Sequence, residues 1–283
     1  MNKFLIEHKP WMIICFLFML LCILWVILKD DIQSSNFEWT TPNIVRWELL
    51  ETKYLYLIHH CISFIPVFLI SVFVPFFSSR FSFHKDWLKP IFYGSLIFVL
   101  WDLAFTFLGI WSFNPRYIMG IKFVGLPIEE FMWFPCIGFC SIYIYALLER
   151  SKPTIIIPRA FYWAVMIGLL ILEFKYFDKL YTGFSIWVVM LTLGLFWKFQ
   201  MGKVLNLFVC SFGIIIFPMY IMDGLLTGMF TKEAVVIYNP LEFSGIRIIS
   251  IPIEDFLFGF SFIGQILFLK CVISRRMSST YTL

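Results

Sequence analysis

Long apolar runs constrain the fold of this chain more than any other feature of its sequence. Eight of them approach the length of about 20 residues that a helix needs to cross the hydrocarbon core of a bilayer. Only 14% of the 283 residues are charged and 61% are apolar, which excludes an ordinary soluble domain. Backbone groups in lipid must be paired within their own segment, so the runs are predicted to be helices. The predicted spans are 11–28, 54–77, 90–110, 127–148, 157–174, 180–197, 204–226 and 252–273.

The first span resembles a secretory signal in its position but not in its length. The apolar core of 11–28 has 18 residues and no small-x-small cleavage site follows it, so a retained transmembrane helix is predicted. Thirteen of the 22 Lys and Arg residues fall on the side of the membrane that holds the N-terminus. By the positive-inside rule, this bias predicts both termini in the cytoplasm, and we expect the bacterial cytoplasmic membrane.

An internal repeat organises the rest of the chain. Residues 114–131 read NPRYIMGIKFVGLPIEEF and residues 239–256 read NPLEFSGIRIISIPIEDF, at a constant offset of 125. Eight of the 18 aligned positions are identical. Upstream, Asp102 aligns with Asp223 after a four-residue insertion. The two motif helices are four spans apart and run in the same direction, so the repeats are predicted to be parallel, with both motifs on one side.

These patterns predict an all-α membrane protein with about eight transmembrane helices and two parallel internal repeats. The predicted organisation has three parts. Residues 1–53 form an extra N-terminal transmembrane helix and a loop, residues 54–150 form the first repeat, and residues 151–283 form a connecting helix followed by the second repeat.

Each copy of the motif places two acids in the first turn of a predicted helix that a proline opens. The pairs are Glu129 with Glu130 and Glu254 with Asp255. Adjacent helical positions point about 100° apart, so one acid can face a cavity while the other meets a cation. A buried, protonated carboxyl group is a general acid that works at neutral pH. The alternative is a solvated pair that caps the helix at the level of the lipid headgroups.

Other polar residues near the motifs favour the functional interpretation. Asp102 lies well inside its predicted helix, where an acid indicates function by default, and Asp223 lies nearer a helix end. Lys122 and Arg247 precede the acids by seven residues and are interpreted as partners of the acids or of phosphate headgroups. Aromatic rings near the acids could stabilise a cation or simply pack, as members of a membrane belt. These rings are Trp101, Trp111, Phe131, Trp133, Phe256 and Phe258.

Several kinds of chemistry have no motif in this sequence. There is no GxGxxG, phosphate-binding loop or nucleophile elbow, which argues against nicotinamide, flavin and nucleotide cofactors. No spacing of His or Cys predicts a metal site, and no basic run predicts a nucleic-acid partner. His59 and His60, inside the second span, are interpreted as structural hydrogen-bonding groups.

The two motifs and their surroundings resemble a known family. PIEEF with WDLAFTFLGIW before it, and PIEDF with TGMFTKEAVVIYNPLEFSGIRI before it, look like the membrane-integral lycopene β-cyclases. That family occurs as two half-size subunits or as one fused chain. This sequence is similar to the fused form over roughly residues 54–273, and the first helix is additional to the pattern.

The resemblance implies a redox-neutral isomerase, an intramolecular lyase that needs no cofactor. A carboxylic acid protonates the terminal alkene of lycopene, the next alkene captures the cation to close a six-membered ring, and loss of a proton gives the β-ionone ring. The implied partners are lycopene from the bilayer and membrane lipids, with other carotenoid-pathway enzymes as candidates. The catalytic candidates are Glu129, Glu130, Glu254 and Asp255. The candidates for substrate binding are Trp101, Asp102, Trp111, Asn114, Phe131, Asp223, Asn239, Arg247 and Phe256.

Three alternatives stay open from the sequence. Parallel repeats with intramembrane acids also describe proton-coupled small-molecule transporters. A carotenoid cyclase could close only one end of its substrate, or act on a longer or modified carotene. A helix bundle that assists assembly, without chemistry, is the third alternative.

Overall fold

A computed structural model describes residues 47–73, 87–151 and 153–280, and the side chains of these ranges as far as residue 273. Its described part contains seven α-helices, a short 3₁₀ helix (Glu48–Leu50) and three pairs of short strands. Six of the seven helices are long and apolar enough to cross a membrane. The helices are α1 (Leu55–Phe73), α2 (Leu88–Phe107), α3 (Ile128–Arg150), α4 (Arg159–Lys175), α5 (Leu180–Lys198), α6 (Gly202–Leu226) and α7 (Ile253–Thr280).

Six of the eight predicted spans correspond to these six apolar helices. The first predicted span, 11–28, lies outside the described residues. The predicted span 157–174 corresponds to α4, which has 17 residues and is not one of the six. The count of eight therefore stays a prediction.

Helix α4 carries the chain back from the end of α3 to the start of α5. Helix α3 begins at Ile128, directly after a short strand. Helix α5 begins beside the loop that carries the later strands, because the backbone N–H of Tyr181 donates to Glu242 O at 2.8 Å. The chain leaves this end along α3 and must come back to it before α5. At about 1.5 Å per residue, the 17 residues of α4 supply roughly 25 Å of that return.

The helices pack against each other both within each half of the chain and between the two halves. Helix α1 packs on α3 and α5 packs on α7, while α2 contacts α7 and α6 contacts α3. Phe98, Trp101 and Phe258 meet where α2 crosses α7, with ring centroids 4.6–5.3 Å apart. A Cβ at Gly94 would lie 2.6 Å from Ile266 Cγ1, so glycine is required for this approach of α2 to α7.

The loops between the helices contain strands that were not predicted from the sequence. Strand β1 (Trp111–Phe113) pairs antiparallel with β4 (Val236–Tyr238), so that Ser112 lies opposite Ile237. Each motif helix is preceded by a hairpin of two-residue strands that ends in the proline of the motif. The hairpins are β2 (Lys122–Phe123) with β3 (Leu126–Pro127), and β5 (Arg247–Ile248) with β6 (Ile251–Pro252).

Backbone hydrogen bonds recur at positions 125 residues apart in the two halves. Several pairs of bonds show this spacing, and three of the pairs fix the start of α1 and α5, the loops after β1 and β4, and the start of α3 and α7. The bonds are Tyr56 N to Tyr117 O and Tyr181 N to Glu242 O, Asn114 N to Val235 O and Asn239 N to Ile110 O, and Ile128 N to Ile121 O and Ile253 N to Ile246 O.

Candidate active site

One cavity of about 300 Å³ lies between the β1–β4 ladder and helices α1, α3, α6 and α7. Most of the side chains that line it are apolar. Four carboxyl groups also line it, two from each half of the chain, namely Asp102, Glu130, Asp223 and Asp255. All four acids therefore belong to a single site.

The second acid of each motif is the one that lines the cavity. Glu130 accepts a hydrogen bond from the phenol of Tyr56, and Asp255 accepts one from the phenol of Tyr181 at 2.5 Å. Both tyrosines stand in the first turn of their helix, and they too are 125 residues apart. Each half thus presents a carboxyl group that is oriented by a tyrosine.

The first acid of each motif has a different position. Glu129 and Glu254 are fully buried and are not among the side chains that line the cavity. Glu129 accepts the backbone N–H of Met119 at 2.7 Å, and Glu254 accepts that of Ser244 at 2.8 Å. Within the described residues, backbone N–H groups of the preceding loop contact this acid at the place where a cation was considered from the sequence.

The hairpins before the motifs contain strained backbone at corresponding positions. Val124 has φ 51° and Ile249 has φ 60°, a left-handed conformation that is unfavourable for β-branched residues. Such strain costs of order 1–3 kcal/mol and clusters near functional sites. In both halves it occurs within six residues of the acid that lines the cavity.

The Asp255 end of the cavity is rich in phenols. Tyr238 donates to the second oxygen of Asp255 at 2.7 Å, so this carboxyl group accepts two phenolic hydrogen bonds. Burial, and then the charge of Asp255, raise the pKa of Tyr238 well above its ordinary value, so the phenol stays a donor. Arg247 lies over the rings of Tyr238 and Phe243, 5.7 and 4.8 Å from their centroids, and donates to Ser250 O.

The Glu130 end contains imidazoles instead. His59 lines the cavity, and its Nδ1 lies 3.4 Å from Nδ1 of His60. The other ring nitrogen of His60 lies 2.8 Å from Glu129 O. Asp102 accepts the indole N–H of Trp111 at 2.7 Å, and its Oδ2 has no hydrogen-bond partner among the described residues.

A family model described as lycopene cyclase matches two segments of the chain, residues 53–148 and 178–271, which together make up more than half of it. The chain belongs to the lycopene cyclase family. Family membership implies an enzyme that cyclises its substrate, and a carotenoid as that substrate. Neither a curated protein nor a solved structure matched the chain in the corresponding comparisons.

The cavity of this family member includes five of the residues predicted from the sequence. Glu130, Asp255, Asp102, Asp223 and Trp111 line it. The other predicted residues lie elsewhere in the described structure, in the loops that carry the strands or in the packing around the cavity. These are Glu129, Glu254, Trp101, Asn114, Phe131, Asn239, Arg247 and Phe256.

The two asparagines show what such surrounding residues do. The Oδ1 atoms of Asn114 and Asn239 each accept the backbone N–H two residues further on, at 3.0 Å. Their amide groups donate across the ladder, from Asn114 to Ala234 O at 3.2 Å and from Asn239 to Gly109 O at 3.3 Å. They hold the loops of the two halves together at the edge of the site.

Sequence reasoning missed the tyrosines of the site and interpreted His59 as structural. Tyr56 and Tyr181 have the same offset of 125 as the motifs, and extending the alignment upstream would have found them. Tyr238 has no such signal, because its counterpart at this offset is Phe113. Among the described residues, no group of three or more His, Cys, Asp or Glu is arranged to hold a metal ion.

Proposed function

We propose that this chain is a lycopene β-cyclase that closes an acyclic ψ end group to a β-ionone ring without redox change. The observation that supports this function best is the single apolar cavity with Glu130 and Asp255 on its wall, each held by a tyrosine. Cyclisation of this kind needs an acid, a stabilised cation and a proton acceptor, and a mainly apolar site that excludes water. The net change is an isomerisation.

We also propose that the two halves are parallel internal repeats around this cavity, with boundaries at 54–150 and 151–283 and an extra N-terminal segment at 1–53. The recurrence of hydrogen bonds at an offset of 125 supports this organisation. So do the two matched segments, which begin 125 residues apart. The N- and C-termini would lie on the cytoplasmic side of a bacterial membrane.

Glu130 is the proposed proton donor. It accepts one phenolic hydrogen bond, from Tyr56, which leaves its other oxygen available to hold a proton toward the cavity. Asp102 lines the same cavity. Carboxyl groups that share a buried site do not all ionise, so such a pair can retain a proton. Protonation of the terminal alkene by Glu130 would start the reaction.

Asp255 is proposed to act as the anion that stabilises the carbocation. Its two oxygens accept hydrogen bonds from Tyr181 and Tyr238, and these bonds offset part of the cost of burying a carboxylate. A fixed negative charge in an apolar cavity stabilises a developing positive charge more strongly than it would in water. The faces of Trp111, Trp133 and Phe258, which also line the cavity, add to this stabilisation.

The substrate is proposed to enter from the lipid rather than from water. Three residues line the cavity and are also exposed on the outside of the bundle: Ile62 and Pro66 of α1, and Pro218 of α6. Ile62 is 53% exposed, on a surface that a membrane would cover. A polyene dissolved in the bilayer could therefore reach the acids between α1 and α6.

Expression of this chain in cells that accumulate lycopene tests the proposal. We expect cyclic carotenes in the pigment extract, and lycopene alone with Glu130→Gln, because an amide N–H is far too weak an acid to protonate an alkene. General acid catalysis contributes about 10²–10⁴-fold. Glu149→Gln, at the far end of α3, is the matched control and should leave the pigments cyclised. Unchanged lycopene with correctly inserted wild-type protein would refute the assignment and favour proton-coupled transport.

A further inference from the structure

His59 is a polar group of the cavity that the proposed reaction has not used. His59 is 1% exposed, lines the cavity, and its Nε2 has no hydrogen-bond partner in the described part of the chain. A buried imidazole nitrogen without a partner is unusual, because buried polar groups are generally hydrogen-bonded. We therefore expect the Nε2 atom of His59 to have a function.

The neighbouring hydrogen bonds determine which nitrogen of His59 can accept a proton. A backbone carbonyl only accepts hydrogen bonds, so His60 must donate from Nε2 to Glu129 O, 2.8 Å away. In its neutral form, His60 then has a lone pair on Nδ1, which can accept only an N–H from Nδ1 of His59. A neutral His59 with its proton on Nδ1 has its lone pair on Nε2, the nitrogen that has no hydrogen-bond partner in the described structure. These hydrogen bonds thus keep neutral His59 in the tautomer whose Nε2 can accept a proton.

We propose that His59 is the base that removes the ring proton and so completes the cyclisation. In this step the proton leaves the ring carbon next to the cationic centre and bonds to Nε2. The electron pair of that C–H bond becomes the ring double bond, and the imidazole becomes an imidazolium. Return of one proton to the Glu130 carboxylate restores both groups, so no external reactant is consumed. This inference rests on the proposed cyclase function.

The location of His59 fits this role. Its ring lies 5.9 Å from that of Tyr56, the residue that donates to Glu130, so donor and base occupy one end of the cavity. In the second half, the positions 125 residues on hold Phe184 and Ser185 instead of the two histidines. A structural hydrogen bond explains His60, but it leaves the free nitrogen of His59 unexplained.

Purified enzyme in detergent with lycopene tests the base directly, with His59→Ala and His59→Gln as variants. We expect both to form β-rings about 100-fold more slowly per folded molecule, within the range for general base catalysis. Added imidazole should restore His59→Ala, because it can occupy the space of the missing ring, but not Glu130→Gln. Ser71→Ala, on the same helix and outside the cavity lining, is the matched control.

Ring type provides a second readout that a purely structural loss would not change. Without its base the cation should lose other protons, so residual product should shift from β-rings to isomers with the double bond elsewhere. Wild-type rates in His59→Ala would overturn the proposal, and so would a loss that imidazole does not rescue with an unchanged ring type. Failure of the wild-type chain to cyclise lycopene at all would instead refute the proposed function.

Discussion

The two ends of the cavity have the same backbone but different polar side chains. At the first end, Glu130 is held by one phenol and lies near a histidine pair. At the second end, Asp255 is held by Tyr181 and Tyr238. A repeat that merely duplicated a site would give two equivalent ends. The difference fits the proposal that the halves divide one reaction, with proton transfer at the first end and charge stabilisation at the second.

Loss of the carboxyl group of Asp255 is the largest effect expected at the second end. Asp255→Asn keeps the shape but removes the charge that is proposed to stabilise the carbocation. We expect β-ring formation to fall by about 10²–10³-fold, the range for removal of a preorganised electrostatic group. Pigment analysis of matched membrane fractions measures this loss. The control is Asp178→Asn, which changes an exposed acid. An Asp255→Asn enzyme with wild-type activity would contradict the proposal that the second end stabilises the carbocation.

Tyr238→Phe makes the second end more like the first, where the corresponding residue is Phe113. Asp255 would lose one of its two phenolic hydrogen bonds, and a bond of this kind to a charged group contributes about 1.5–3 kcal/mol. We therefore expect the rate to fall by roughly 10- to 100-fold, with the amount of folded protein unchanged. Initial rates of lycopene consumption measure it. Tyr145→Phe, whose hydroxyl bonds Glu149 away from the cavity, should retain the wild-type rate.

The buried first acids should affect stability, and to different extents in the two halves. Of the donors in the described structure, Glu254→Leu leaves the Ser244 N–H and the Thr182 hydroxyl without their acceptor, while Glu129→Leu does so for the Met119 N–H alone. An orphaned buried donor costs about 1–3 kcal/mol. We expect the apparent melting temperature in detergent to fall in both variants, and further in Glu254→Leu. Equal shifts, or a greater shift in Glu129→Leu, would contradict this ranking.

The smallest expected effect comes from relieving the strained hairpins. Asn tolerates the left-handed region that Val124 and Ile249 occupy, so Val124→Asn and Ile249→Asn should each stabilise the protein by up to about 1 kcal/mol. Heating series followed by size-exclusion chromatography would detect the gain. A loss of cyclisation together with a gain of stability would show that the strain helps to position the acids.

The sequence located the loops that carry the site more accurately than it identified the side chains that line the cavity. The ungapped match of 114–131 with 239–256 located both acid pairs and aligned Asp102 with Asp223. Helical geometry indicates that Glu129 and Glu130 diverge, but not which one faces the cavity. That choice depends on the rotation of α3, which is fixed by the packing of other helices and by the hairpin before it.

Contacts between distant parts of the chain account for most of what was missed. Tyr56 is 74 residues from Glu130, and Tyr181 is also 74 residues from Asp255, so neither belongs to a local motif. Strands of two or three residues have no periodicity that can be read from a sequence. The β1–β4 ladder forms only because two loops 125 residues apart come together above the cavity.

Under the proposed function, the position of four carboxyl groups in one cavity also sets the order of events on a substrate with two reactive ends. A linear polyene can place only one of its ends among the acids at a time, while on the proposed entry route the other end stays in the bilayer. To become symmetrical, the molecule must withdraw, turn around and return. Time courses should therefore pass through a carotene with one ring, and the final ratio of singly to doubly closed product should depend on how well that intermediate competes with fresh lycopene.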